Sequence, residues 1–101
     1  MSKKKDDPKT MAQMREWLED ASNVLGLDPK VVLTLTEPHL LDLASDTARH
    51  TSRPGTPSSA FLVGLATGLA GGDAEAQIEK ALEAVSTLRE HIAENYKKDD
   101  E

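Results

Sequence analysis

The chain has 101 residues, of which 38% are hydrophobic, 30% charged and 3% aromatic, so its length allows one small domain and excludes a second. Twelve Lys and Arg against eighteen Asp and Glu leave a formal net charge of −6, which repels phosphate backbones and argues against general nucleic-acid binding. There is no Cys, which excludes disulfides, thiolate metal sites and cysteine nucleophiles and is typical of a cytoplasmic protein.

The two ends of the chain differ in composition from the rest. Residues 1–9 and 97–101 contain no apolar residue beyond the initiator Met, and we expect both to be disordered charged tails around a single helical domain at 10–96. An Asp-Asp-Pro sequence at 6–8 replaces the apolar stretch that a signal peptide needs. The longest apolar run, residues 60–70, is about half the roughly 20 residues that cross a bilayer. The sequence therefore predicts neither export nor membrane insertion.

End signals and apolar spacing define the first two helices. Apolar residues recur at helical spacing from Thr10 to Leu25, and Thr10 with a glutamine three residues later forms a capping box. Gly26 ends this helix. Asp28 followed by Pro29 predicts the N-cap and first position of a short second helix, which must end before the Thr-Glu-Pro that starts the third.

The third and fourth helices flank the longest predicted loop. The third runs from Thr36 to about Thr51, beyond which an Arg-Pro-Gly-Thr-Pro sequence cannot continue it. The fourth spans residues 59–70 and is capped by Thr56 or Ser58. Because it is apolar around nearly its whole circumference, we expect it to be the buried central helix.

The fifth helix begins at Asp73 and carries an apolar stripe as far as Tyr96. No segment alternates with period 2, so the sequence predicts an all-α fold: a compact bundle of about five helices with an apolar central helix and disordered charged tails. The stripe and the fourth helix together exceed what one small protomer covers, which motivates the hypothesis of a homodimer.

Three small residues recur at four-residue spacing on the fourth helix, at Ala60, Gly64 and Gly68. Such a ladder lets another helix backbone approach closely. The expected neighbour is the first or fifth helix of the same chain, and the alternative is dimerisation.

The loop before the fourth helix carries a candidate anion site. An arginine, several hydroxyls and the free amides of a helix start meet there, and this combination favours a phosphate or a carboxylate. The candidate residues are Arg53, Thr56, Ser58 and Ser59. The competing interpretation is structural: the hydroxyls cap the helix, and Arg53 pairs with Asp46 or a neighbouring carboxylate.

Asp42, Asp46 and His50 are spaced to share one face of the third helix, and Asp46 and His50 would form the rim of the anion site. Two carboxylates and one imidazole make an incomplete metal site, so we predict no metal. The sequence contains no nucleotide-phosphate loop and no Ser/His/Asp motif, so we predict neither a catalytic residue nor a cofactor.

The fifth helix also carries a stripe of like charges on one side. Its members are Glu75, Glu79, Glu83, Glu90 and Glu94. A solvated face is the simplest interpretation, and docking of a basic partner is the functional alternative.

Residues 40–68, LLDLASDTARHTSRPGTPSSAFLVGLATG, together with Trp17 and residues 25–27 upstream, resemble a small actinobacterial domain of unknown function. Members of that family read approximately LLDLxRDVAHxxxRPAAPLTTFLxGLAxG. The shared positions are Leu41, Asp42, Asp46, Arg53, Pro54, Pro57, Phe61, Gly64 and Gly68. The chain departs from the pattern at Arg49, where a His is common, and His50 lies one position late.

The resemblance implies a function by association. In that family the domain occurs alone or appended to a molybdenum-cofactor guanylyltransferase, which joins a guanine nucleotide to molybdopterin. It therefore implies a stand-alone, non-enzymatic accessory module with a nucleotidyltransferase-type partner protein. The alternative is a carrier of a small anionic ligand such as pyrophosphate at the Arg53 loop, and an enzyme in its own right ranks third.

Overall fold

The computed structural model describes residues 7–96, and every regular element in that range is helical, which confirms the predicted all-α class. The elements are α1 (Pro8–Leu25), α2 (Pro29–Leu35), a π-helical segment (Thr36–Leu40), α3 (Leu41–His50), a 3-10 turn (Arg53–Gly55), α4 (Thr56–Ala70) and α5 (Ala74–Asn95). Most of both predicted tails lies outside the described residues.

The backbone divides into two compact units within the last turn of α2. The first unit ends at Thr34 and the second begins at Leu35. The single helical domain at 10–96 stays a prediction.

In the first unit, α1 begins earlier than its sequence signals suggest. Pro8 takes a first-turn position after Asp7, so Pro8 and Lys9 belong to the helix and not to a tail. The predicted capping box at Thr10 is wrong, because Thr10 already lies inside the helix and its hydroxyl donates to the Asp7 carboxylate at 3.5 Å. Proline suits this position because its missing N–H has no partner in a first turn.

The turn between α1 and α2 confirms the predicted end signals. Gly26 adopts φ 74° and ψ 26°, the left-handed conformation that glycine reaches without a Cβ clash. Its amide donates to the Asn23 carbonyl at 3.1 Å. The Asp28 carboxylate accepts the Lys30 amide at 3.0 Å, and α2 begins at Pro29 as predicted.

The second unit opens with a break in the helix. Glu37 has non-helical φ −116° and ψ 123°, and the Glu37–Pro38 peptide bond is cis. The Thr-Glu-Pro sequence therefore interrupts the helix as expected, although the regular part of the third helix begins only at Leu41.

The connection between α3 and α4 is a capped 3-10 turn. The Ser52 hydroxyl accepts the Gly55 amide at 3.1 Å, and α4 begins at Thr56, three residues before the predicted start. A cap at Thr56 or Ser58 is thus wrong: both lie within α4, and the described residues show no side-chain cap on α4 itself.

The N-terminus of α5 is capped by Asp73. The Asp73 carboxylate accepts the Ala76 amide at 2.9 Å, which confirms the predicted start of the fifth helix.

The core of the second unit forms where α5 contacts both α3 and α4. Its most buried apolar side chains are Leu35, Leu43, Val63, Ala81 and Val85, with Ile92 near the end of α5. Three of these six residues belong to α5, whereas α4 contributes only Val63. The prediction that the fourth helix is buried is therefore wrong, because α3 and α5 cover only one side of a helix that is apolar all round.

No helix within residues 7–96 combines the length and the apolar character that a membrane span requires.

Candidate functional site

The side of α4 opposite Val63 is an exposed apolar surface. Its large side chains are Phe61, Leu65 and Leu69, with exposed fractions of 65%, 47% and 81%. Leu62, 53% exposed, lies at its edge, where it lines a groove with Lys80 and Glu83 of α5. Phe61, Leu65 and Leu69 follow one another at four-residue spacing, so they line a single stripe. We call these four residues, with Ala60, Gly64 and Gly68, the α4 outer face.

The small-residue ladder lies beside this stripe and is also open. A Cβ atom built on Gly64 or Gly68 meets no other heavy atom within 4 Å. The expected packing of the ladder against the fifth helix is therefore absent within the described residues of the second unit. The reason is geometric: α4 turns Val63 toward α5, which directs the glycines away from the core of their own unit. Packing against the first helix stays a prediction.

The α4 outer face carries no charge. None of the 15 residues of α4 is Asp, Glu, Lys, Arg or His, in a chain whose formal net charge is −6. Exposed surfaces of monomeric proteins seldom group several large apolar side chains without a charged neighbour, and such groups mark sites of association.

The four candidate anion-site residues differ in their exposure and in their hydrogen bonding. Arg53 lies in the 3-10 turn, where it and Ser58 are exposed. The Ser59 hydroxyl lies 3.1 Å from the Thr47 hydroxyl and is thus engaged with α3. The Thr56 hydroxyl is buried and has no hydrogen-bond partner among the described residues. Only Arg53 and Ser58 therefore present themselves to a ligand from solvent.

The shared face of Asp42 and Asp46 on α3 is confirmed, and α5 supplies its partner. The Arg89 Nε atom donates to the Asp46 carboxylate at 2.7 Å, and Nη1 lies 3.6 Å from Asp42. The Asp46 hydrogen bond raises the pKa of Arg89 most strongly. Burial lowers this pKa by less, and the negative charges of Asp46 and then Asp42 raise it further. Asp46 therefore pairs with Arg89 and not with Arg53.

A cavity of about 620 Å³ lies beside this ion pair, between the end of α3 and α5. Its polar lining comes from His39, Asp46, His50, Ser86, Arg89 and Glu90. Asp46 and His50 thus line a cavity against α5. No group of three or more His, Asp or Glu side chains within residues 7–96 is placed to hold a metal ion.

The acidic stripe of α5 is solvent-exposed at all five predicted positions. From Glu75 to Glu94 it follows the helix for about 29 Å, at roughly 1.5 Å per residue. Lys80 interrupts it with a long contact to Glu83, whose side chain is 70% exposed, at 3.7 Å. The stripe therefore keeps its negative charge facing solvent.

These features describe an all-α protein with one uncharged apolar helix face and one acidic helix face. Comparison with family models gives a match over residues 9–100 to the family described as Domain of unknown function (DUF6457), and the chain belongs to that family. The comparison with curated proteins finds no match, and neither does the comparison with solved structures. The expected membership of a small domain of unknown function is confirmed.

Proposed function

We propose that this chain is a non-enzymatic interaction module. The observation that carries the proposal is the α4 outer face, where four large apolar side chains lie in solvent on an uncharged helix. Each such side chain gains about 1.5 to 3 kcal/mol on full burial, so this face favours association with another apolar surface.

The acidic stripe of α5 is a second surface for association, and it favours a basic partner instead of an apolar one. Five exposed glutamates along one helix attract a basic protein surface, and they accelerate its approach more than they strengthen the final complex. We assign to this stripe the partner that the family resemblance implies, a nucleotidyltransferase-type enzyme of molybdenum-cofactor maturation. The module then acts in the cytoplasm of an actinobacterium as a stand-alone counterpart of the domain that is fused to guanylyltransferases.

The partner proposal is tested with the purified chain and a purified molybdenum-cofactor guanylyltransferase. Fluorescence anisotropy of the labelled chain should show saturable binding that weakens as NaCl rises. The double substitution Glu79→Lys and Glu83→Lys should weaken it at least tenfold. Replacing exposed Glu16 and Glu19 of α1 by Lys makes the same change in net charge and should leave most of the affinity intact. No binding at low salt would refute the partner.

Anion binding at the Arg53 loop is the second candidate. Arg53 in the 3-10 turn before α4 and Ser58 in the first turn of α4 are both exposed, which favours it. A thermal-shift series with phosphate, pyrophosphate and GTP distinguishes the two functions. Stabilisation by an anion that is lost in Arg53→Ala would favour the ligand carrier, and no shift would favour the interaction module.

A further inference from the structure

We propose that the α4 outer face is covered by the same face of a second copy of this chain, which gives a homodimer built around an α4–α4 contact. The inference rests on the proposed function, because it names the occupant of the surface that carries it. The acidic stripe of α5 lies on another helix and is left to a different partner.

Charge selects the second copy. Two chains of net charge −6 repel each other, and the repulsion is smallest where neither side brings a carboxylate into the contact. All 15 residues of α4 are uncharged, so the two helices themselves bring no charge into the contact. Lys80 and Glu83 of α5, which line a groove with Leu62, lie at its edge. A basic partner gains nothing on this face and is attracted to α5. The fitting occupant is an uncharged apolar surface, which a second copy brings in the same form.

The shape of the face is self-complementary. The ladder of Ala60, Gly64 and Gly68 runs directly beside the stripe of Phe61, Leu65 and Leu69. In a two-fold contact the ladder of each copy faces the large side chains of the other. Because nothing lies within 4 Å of a Cβ built on either glycine, the space that those side chains need is open.

The area is sufficient for a specific contact. At roughly 200 Å² for a fully exposed large side chain, the exposed fractions of the four residues amount to about 500 Å² in each copy. Two copies thus bury at most about 1,000 Å² from these side chains, which is about the area that a biological interface must clear and below the roughly 1,200 Å² of stable ones. The small residues and the neighbouring turns add to it.

The first test is the oligomeric state of charge-insertion variants. Sedimentation equilibrium of the full chain should give a dimer, and Leu65→Glu should raise the dissociation constant by about 30-fold or more, since Leu65 lies at the centre of the face. Ala76→Glu adds the same charge on the exposed first turn of α5 and should dimerise as the parent does. A monomeric parent, or a Leu65→Glu variant as dimeric as the parent, overturns the proposal.

Cross-linking identifies the contact itself. The chain has no Cys, so Leu65→Cys introduces a single thiol. Mild oxidation should link two copies through position 65, whereas Ala76→Cys should stay unlinked. A dimeric parent whose Leu65→Cys variant links only to a second variant, Trp17→Cys, would place α1 of the other copy on the face and overturn the α4–α4 contact.

The dimer and the proposed function fail separately. A monomer that still binds the guanylyltransferase refutes the dimer and leaves the interaction module standing. A dimer with the 65–65 cross-link that binds no guanylyltransferase supports the dimer and refutes the proposed partner.

Discussion

At the scale of single residues, Arg89 organises the face that the sequence assigned to α3 alone. Helical spacing correctly predicted that Asp42 and Asp46 share a side, because residues four apart are neighbours on one helix. It could not predict their partner, which lies 43 positions from Asp46 and is brought near by packing of α5. Helical spacing relates residues within one helix, so the ion pairs between α3 and α5 can be seen only in the folded structure.

The Arg89 ion pairs make a modest, salt-sensitive contribution to stability. Arg89→Met keeps the apolar part of the side chain and should lower the free energy of unfolding by about 0.5 to 1 kcal/mol, because the groups are partly exposed and screened. The raised pKa keeps Arg89 charged at ordinary pH, so its contribution is present below the usual arginine pKa and is lost only in strong alkali.

Urea unfolding at low and high NaCl measures this contribution. Lys80→Met breaks the longer and more exposed contact to Glu83 and is the matched control, with an expected loss smaller than that of Arg89→Met. Equal losses for the two variants would show that the pairing across α3 and α5 stabilises nothing beyond a surface contact.

Ser52 caps the 3-10 turn that leads into α4, although the sequence signals predicted a cap at Thr56 or Ser58. Ser52→Ala removes the acceptor of the Gly55 amide and should lower the free energy of unfolding by about 1 kcal/mol. Ser58→Ala, at an exposed position inside the first turns of α4, should change it by less than about 0.5 kcal/mol. Thermal unfolding of both variants measures the two changes in stability. A larger loss for Ser58→Ala than for Ser52→Ala would support the cap at Ser58 that the sequence predicted.

At the scale of elements, α4 and α5 show when an apolar pattern predicts burial. The fifth helix has one apolar stripe, and Val85 and Ile92 of that stripe are buried as expected. The fourth helix is apolar on every side, so its sequence contains no periodicity that could orient it. The side of α4 that contacts α5 is set by helix packing. The number of helices packed against α4, and not its composition, limits how much of it is buried.

The open ladder makes a distinctive prediction for Gly64. Gly64→Ala should raise the free energy of unfolding by about 0.5 to 1 kcal/mol in dilute, dissociated protein, because alanine favours helix and no atom lies in its way. Gly71→Ala is the control: at φ 71° a Cβ is strained, and this variant should be less stable. Urea titration of both variants measures the two effects. A destabilised Gly64→Ala would mean that the ladder packs within the chain.

At the scale of the whole molecule, the helical class and most helix ends were predictable from the sequence. Gly26, Asp28 and Asp73 act through hydrogen bonds to residues two to three positions away, so their signals are readable in a short window. The exposed α4 outer face and the Arg89 ion pairs depend on packing between segments that are far apart in the sequence. No short stretch of sequence could therefore predict them. Family membership identifies the chain as a domain of unknown function and assigns it no activity.

Net charge predicts opposite salt responses for the two proposed complexes. Salt screens the repulsion between two copies of charge −6, so the dimer should tighten as NaCl rises from about 50 to 500 mM. Binding of a basic partner to the α5 stripe should weaken over the same range. Sedimentation and anisotropy series in matched buffers measure the two trends. A dimer that weakens as NaCl rises would contradict a contact made through the uncharged α4 outer face.

Sedimentation equilibrium of the unmodified chain between about 1 and 100 μM tests the central claim, that α4 is an association surface, most directly. We expect a mass that rises toward twice the chain mass of 10.9 kDa, and a Leu65→Glu variant that stays near the single-chain value. A chain that sediments at 10.9 kDa throughout this range would contradict the claim that a second copy covers the α4 outer face.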